Sequence, residues 1–175
     1  MIKELANLKK LKSKQVISIV LLSLFFLALD QLSKLAVINA YKNGYDSIEV
    51  LPFFNITFII NYGISFSLFN GLDYRILLLS SIIALICAVI IVINLVENLG
   101  YLQLLTISLL IGGALGNIVD RYVYQGVVDF LHFYYDKFHF PIFNLADCFV
   151  SMAGAILFFE MFIKNTKKNL DNIKK

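Results

Sequence analysis

Four stretches of this sequence are each long and apolar enough to cross a lipid bilayer, and no other feature restricts the fold as severely. Hydrocarbon offers no hydrogen-bond partner to an open backbone, so such a segment is read as a helix of about 20 mostly apolar residues. Residues 16–38, 76–96, 99–119 and 142–163 qualify. The second and third contain no charged side chain; the first contains Asp30 and Lys34, and the fourth has Asp147 near its start and Glu160 near its end. The chain is 59% hydrophobic and 15% charged; soluble domains run at roughly 45–50% and 25%. The expected class is an all-α membrane protein, a single domain over residues 1–175, with external segments at about 40–74 and 121–141.

Four spans return both termini to one side. Five lysines lie within residues 3–14 and five within 164–175, and the positive-inside bias puts that side in the cytoplasm. These lysines are ten of the fifteen basic residues, so the net charge of +3 gives no reason to expect nucleic acid. The connection at 97–100, ENLG, has no Lys or Arg to reinforce the orientation. The basic start followed by an apolar run has the outline of a signal peptide, but no small-residue cleavage site follows, and it reads as a retained span. Cys87 and Cys148 lie in apolar sequence and read as small hydrophobes, with no disulfide or zinc framework.

This orientation sorts the acids. At ~1.5 Å per residue Asp30 lies roughly 21 Å into the first span, in the outer half of the bilayer. Asp120 ends the outward-running third span, Asp129 follows in the external connection, and Asp147 opens the returning fourth span. A carboxylate near hydrocarbon costs at least a few kcal/mol, which marks these residues as functional by default. The external segments are themselves apolar. Residues 50–69 are too hydrophobic for a solvated linker, and Ile64 to Leu68 alternate with period two, as a half-buried strand does. A small sheet lying on the membrane is expected there. Residues 130–143 carry seven Phe and Tyr side chains, the enrichment found at headgroup depth.

Each polar motif has a plain reading beside a chemical one. Asp30 and Lys34 are four apart on one helical face and read as an ion pair, with Asp30 also a candidate for holding the site or substrate. Ser33 and Lys34 are adjacent and point about 100° apart, so they do not form a Ser-Lys catalytic pair. Gly112 and Gly116 have the small-xxx-small spacing of close helix packing. Asp120 and Arg121 read as an ion-paired clamp at the end of the third span. His132 and His139 could bind a metal, but without a denser ligand pattern they read as interfacial polar tips. Asn144 followed three residues later by Asp147 is close to a capping box, which accounts for that spacing without chemistry. It does not account for Asp129, an acid among aromatics with no cationic neighbour in the sequence. Two carboxylates brought together there would share a proton, since like charges push their pKa values apart.

Four blocks in order, DQLSK at 30–34, NYGISFS at 61–67, GGALGNIVDR with GVVDF at 112–130, and FNLAD at 143–147, resemble signal peptidase II, the bacterial lipoprotein signal peptidases. Two alanines common in that family after Asn61 and Gly63 are Ile64 and Ser65 here. The resemblance implies four membrane helices with an external β-sheet cradle and an interfacial helix. It implies Asp129 and Asp147 as the catalytic pair, with Asp30, Lys34, Asn61, Gly63, Asn117, Asp120, Arg121 and Asn144 supporting the site or contacting substrate. The implied substrate is a diacylglyceryl-modified prolipoprotein, cut on the amino side of its lipidated cysteine by a monomer in the bacterial inner membrane, with the site at the outer leaflet and no metal or cofactor. At the N-terminus of a helix, where the dipole favours an anion by roughly 0.3–1 kcal/mol, Asp147 is the expected base and Asp129 the expected acid. The rival classes are an ion-conducting protein with Asp30, Asp120 and Asp147 as a relay, and a metal-dependent hydrolase using His132 and His139. Flux without substrate would mark the first, and loss of activity to a chelator the second.

Overall fold

The computed structural model describes residues 13–63, 73–95 and 100–173. Helices α1 (Ser13–Lys42), α2 (Tyr74–Leu95), α3 (Tyr101–Tyr124) and α4 (Leu145–Ile173) are the only helices among the described residues. All four are long and apolar enough to cross a membrane. Each spanning segment lies where an apolar run was expected. The helices overrun those runs, however: α1 ends four residues beyond 38, and α3 five beyond 119. The overrun places Asp120 and Arg121 inside α3, so Asp120 does not end the span. The interfacial helix is absent from the described elements, and the alternating stretch at 64–68 lies outside the described residues.

Helix α3 is the central one, packed on α1 and α4 and more lightly on α2. Glycines allow this. A Cβ on Gly112 would lie 2.7 Å from Phe26 Cβ and from Ser23 O on α1, and one on Gly113 would lie 2.6 Å from Ala146 O on α4. Close backbone approach of this kind is how membrane helices gain packing energy in a solvent that does not drive apolar faces together. The outward faces, with Leu21, Leu24, Phe25, Leu32, Ile83, Ile86, Phe158 and Phe159, are exposed and suit lipid.

Strands β1 (Ser47–Leu51), β2 (Phe54–Asn61), β3 (Val127–Tyr135) and β4 (Phe138–His139) form one antiparallel sheet in sequence order. Helix α3 stops at Gln125, which takes a left-handed conformation (φ 59°). Gly126 then fits against β2, where a Cβ would meet Ile60 Cγ2 at 2.7 Å. The aromatic stretch from 130 is therefore strand and hairpin, because its residues pair with β2 and Asp136 (φ 52°) turns the chain into β4. Between Ile56↔Leu131 and Ile59↔Asp129, one residue of β3, Phe130, faces two of β2, Thr57 and Phe58, a bulge in β2. Because strand side chains alternate, this extra residue changes which face the end of β2 presents.

Candidate active site

The first turn of α4 is held from three directions. Asn144 is its N-cap: its Oδ1 accepts the Asp147 N–H at 2.9 Å, and Asp147 Oδ2 accepts the Asn144 N–H at 3.3 Å. The capping-box reading of this spacing is therefore correct in geometry. It leaves Asp147 Oδ1 to accept a hydrogen bond from Asn117 Nδ2 on α3 at 2.8 Å. From α1, Asp30 Oδ1 accepts the Ala146 N–H at 2.9 Å, satisfying another backbone donor of the helix end. Both Asp30 and Asn144 are fully buried.

Asp129 comes from β3 and is 3% exposed. Its Oδ1 accepts a hydrogen bond from Asn144 Nδ2 at 2.7 Å and its Oδ2 one from Asn61 Nδ2 at 3.0 Å. Asn61 is itself oriented by the Gly63 N–H, which donates to its Oδ1 at 3.0 Å. The β2 bulge puts Asn61, rather than Ile60, on the Asp129 side of the sheet. The sheet reaches α4 because Phe130 and Leu131 N–H both donate to Phe143 O, at 3.0 and 2.8 Å, one residue before Asn144. Asn144 thus touches both carboxylates. Burial, and then the charge of Asp147, push the Asp129 carboxyl up to about 7, against the opposing hydrogen bonds of Asn61 and Asn144 and the charge of Lys34. At neutral pH this site can hold one acid with its proton.

Beneath the pair lies a buried charge cluster. The Lys34 ammonium, 1% exposed, is 2.8 Å from Asp30 Oδ2, 2.8 Å from Asp120 Oδ2 and 3.2 Å from Asn117 Oδ1. The expected Asp30–Lys34 pair is present, but the clamp between Asp120 and Arg121 is not. Asp120 pairs with Lys34 and accepts the Val128 N–H at 3.0 Å and Gln31 Nε2 at 2.9 Å. Neighbouring helical residues point about 100° apart, so Asp120 faces α1 while Arg121 turns to a groove between α2, α3 and α4. That groove, about 340 Å³, is lined by Ser81, Ala84, Ala88, Asn117, Arg121 and Asp147 among others. Arg121 donates from its guanidinium to Asn117 O at 3.2 Å, and its buried Nε has no partner. Asp129 is also not without a cation, since the charge of Lys34 reaches it.

His132 and His139 stack at 5.2 Å with Nε2 and Nδ1 3.1 Å apart, and burial together with His139 pushes the His132 imidazole down. No group of three or more metal-ligating side chains occurs among the described residues. Sequence reasoning missed Gln31, which donates to Asp30, Gly116 O and Asp120. An uncharged polar residue inside an apolar span was the available signal.

Comparison with known proteins gives a consistent picture. The family model described as signal peptidase (SPase) II matches residues 22–163. The lipoprotein signal peptidase of Haemophilus ducreyi is 39% identical over 157 residues, covering 85% of this chain and 92% of the relative. That of Alteromonas mediterranea is 38% identical over 146 residues, covering 82% and 80%. A solved structure described as a bacterial membrane enzyme, determined in meso at 2.3 Å resolution, superposes with a TM-score of 0.68 at 33% identity, covering 86% of this chain and 90% of that one. With the matched region reaching every helix and strand that builds the site, the chain belongs to the signal peptidase II family.

Proposed function

We propose that this protein is an aspartic endopeptidase that removes the signal peptide from diacylglyceryl-modified prolipoproteins, cutting on the amino side of the lipidated cysteine. The observation that carries the reading is Asn144 joining two carboxylates of unlike surroundings: buried Asp129, raised to about 7, and half-buried Asp147 at the N-terminus of α4. Asp147 serves as the base. It takes a proton from a water molecule, whose oxygen attacks the scissile carbonyl carbon, while Asp129 gives its proton to the carbonyl oxygen. When the tetrahedral intermediate collapses, the C–N bond breaks and Asp147 returns its proton to the leaving amine. The hydroxyl formed on the former carbonyl oxygen gives its proton back to Asp129 as the C=O bond re-forms. Neither a covalent intermediate nor a metal enters the scheme.

The groove beside Asp147 supports the choice of substrate. It opens between helices, its walls include Ala84, Ala88 and Ala114, and Arg121 offers an unpaired N–H at its acid end. A membrane-embedded signal segment can lie there with its scissile bond at the carboxylates. The site is assigned to the outer leaflet of the bacterial inner membrane, with the protein acting as a monomer. The test is incubation of purified protein with a diacylglyceryl-modified prolipoprotein and, in parallel, its unlipidated form. Cleavage only of the lipidated form is expected. Equal cleavage of both, or of neither, would overturn the proposal.

A further inference from the structure

Three asparagines present amide groups to the two acids, and in each the orientation is dictated by a group that can only donate. The Gly63 N–H requires Asn61 Oδ1, leaving Asn61 Nδ2 to donate to Asp129. The Asp147 N–H requires Asn144 Oδ1, leaving Asn144 Nδ2 to donate to Asp129 and to Asn117 Oδ1 at 3.1 Å. The third is Asn117. Its Oδ1 faces the Lys34 ammonium at 3.2 Å, and an ammonium has three donors and no acceptor. Asn117 Nδ2 is thereby committed to Asp147 Oδ1 at 2.8 Å. Oxygen and nitrogen of an amide are assigned from such networks, and here the fixed donors admit one assignment. Of those fixed donors, only Lys34 belongs to a side chain.

We infer that Lys34 is a positioning residue for the proton shared by Asp129 and Asp147: through Asn117 it holds Asp147 as a hydrogen-bonded carboxylate and so leaves the proton on Asp129. Without the ammonium, the Asn117 oxygen keeps only a share of the second Asn144 Nδ2 hydrogen, which also lies 3.3 Å from Val128 O; Asn117 can then turn over and offer its oxygen to Asp147, which must carry the proton to meet it. This role rests on the aspartic-peptidase reading above. It is distinct from ion pairing alone, because Asp30 and Asp120 already hold the Lys34 charge on either side. Asp30 on α1, Asp120 on α3 and Asp129 on β3 feel the Lys34 charge directly, and the other ionisable groups facing the Asp129 and Asp147 pair are Arg121 on α3 and Cys148 on α4.

The pH dependence of kcat/KM tests the role, since its acidic limb reports ionisation of the base in the free enzyme. Lys34→Met alone would strand two buried carboxylates, so it is combined with Asp120→Asn. The acidic limb of the double variant moves to higher pH by about one unit, the size of effect a lost hydrogen-bond donor to a carboxylate produces, since the paired charges of Lys34 and Asp120 leave together. Lys34→Arg, which keeps an obligate donor, stays near the wild-type limb. Asn117→Asp keeps a partner for Lys34 but cannot donate to Asp147, and it shifts the limb in the same upward direction without depending on the double variant's folding. An unmoved limb in Asn117→Asp, or in a folded double variant, overturns the role of Lys34 while Asp129→Asn and Asp147→Asn remain inactive. Turnover persisting in either of those two overturns the dyad and this role together.

Discussion

On the proposed mechanism, a proton resting on Asp129 sets an upper pH limit on turnover. The carboxyl is raised to about 7 by burial and by the Asp147 charge, and the proposed mechanism needs it protonated. Raising the pH through about 7 removes that proton, so kcat/KM falls on the alkaline side. The profile is a bell whose limbs belong to the coupled pair, and activity undiminished well above pH 8 would contradict the assignment. The acids can also be separated spectroscopically. Asp129→Asn and Asp147→Asn each keep side-chain shape and should abolish cleavage, a loss of at least about 10²–10⁴-fold, while membrane insertion persists. In resting protein an infrared band of protonated carboxyl should vanish in Asp129→Asn and remain in Asp147→Asn. The reverse pattern would exchange the roles and keep the dyad.

Between elements, the decisive contacts join α1, α3 and α4. Asp120 links Lys34 and Gln31 of α1 to the start of β3 through Val128 N–H. Asp120→Asn removes one of two anions from a buried ammonium, which should cost on the order of 3 kcal/mol. Lys34 keeps Asp30 and Asn117, so the protein that does fold should cleave; a stable variant devoid of activity would count against this placement. The helix seam makes a sharper prediction. A Cβ at Gly116 would strike Asp30 Oδ2 and approach Ala146 Cβ at 3.3 Å, whereas one at Gly154 meets nothing within 4 Å. Gly116→Ala should lower stability by about 1–3 kcal/mol and disturb the Asp30 bond that caps α4. Gly154→Ala, on the same scale of thermal unfolding in detergent, should be neutral or slightly stabilising.

At the scale of the whole molecule, four helices able to cross a membrane carry their acidic cluster at one end, where the sheet covers it. Within the membrane-crossing part of α4, Leu145–Ile163, the one acid besides Asp147 is Glu160, whose Oε1 accepts a hydrogen bond from Gln103 Nε2 of α3 at 2.5 Å. Asp30 and Asp120 are engaged with a single ammonium, which leaves no described chain of acids from one leaflet to the other. With lysine-rich ends, the termini are expected in the cytoplasm. Trypsin added to inverted membrane vesicles should cleave the terminal segments, and trypsin added outside intact spheroplasts should leave them whole; the opposite result would invert the topology and move the site to the inner leaflet.

The sequence by itself determined the four spans, because a helix in lipid satisfies its backbone locally and needs only a long enough apolar run. It also determined the cap at Asn144 and Asp147, a contact across three residues, and the Asp30–Lys34 pair across four. Motif blocks in order single out Asp129 and Asp147, the pair proposed here as catalytic. Contacts between distant segments were settled only in three dimensions. Asp120 faces Lys34 rather than Arg121 because helix rotation, not adjacency, selects a partner. The stretch after Gln125 is strand because β2 is there to pair with it, and a single extra residue in β2 turns Asn61 toward Asp129. That bulge leaves no pattern in the sequence, since its reason is the register between two strands some seventy residues apart, about 68 between Asn61 and Asp129. The spans are thus written in local composition, whereas the charge and hydrogen-bond order of the site exists only once α1, α3, β3 and α4 have met.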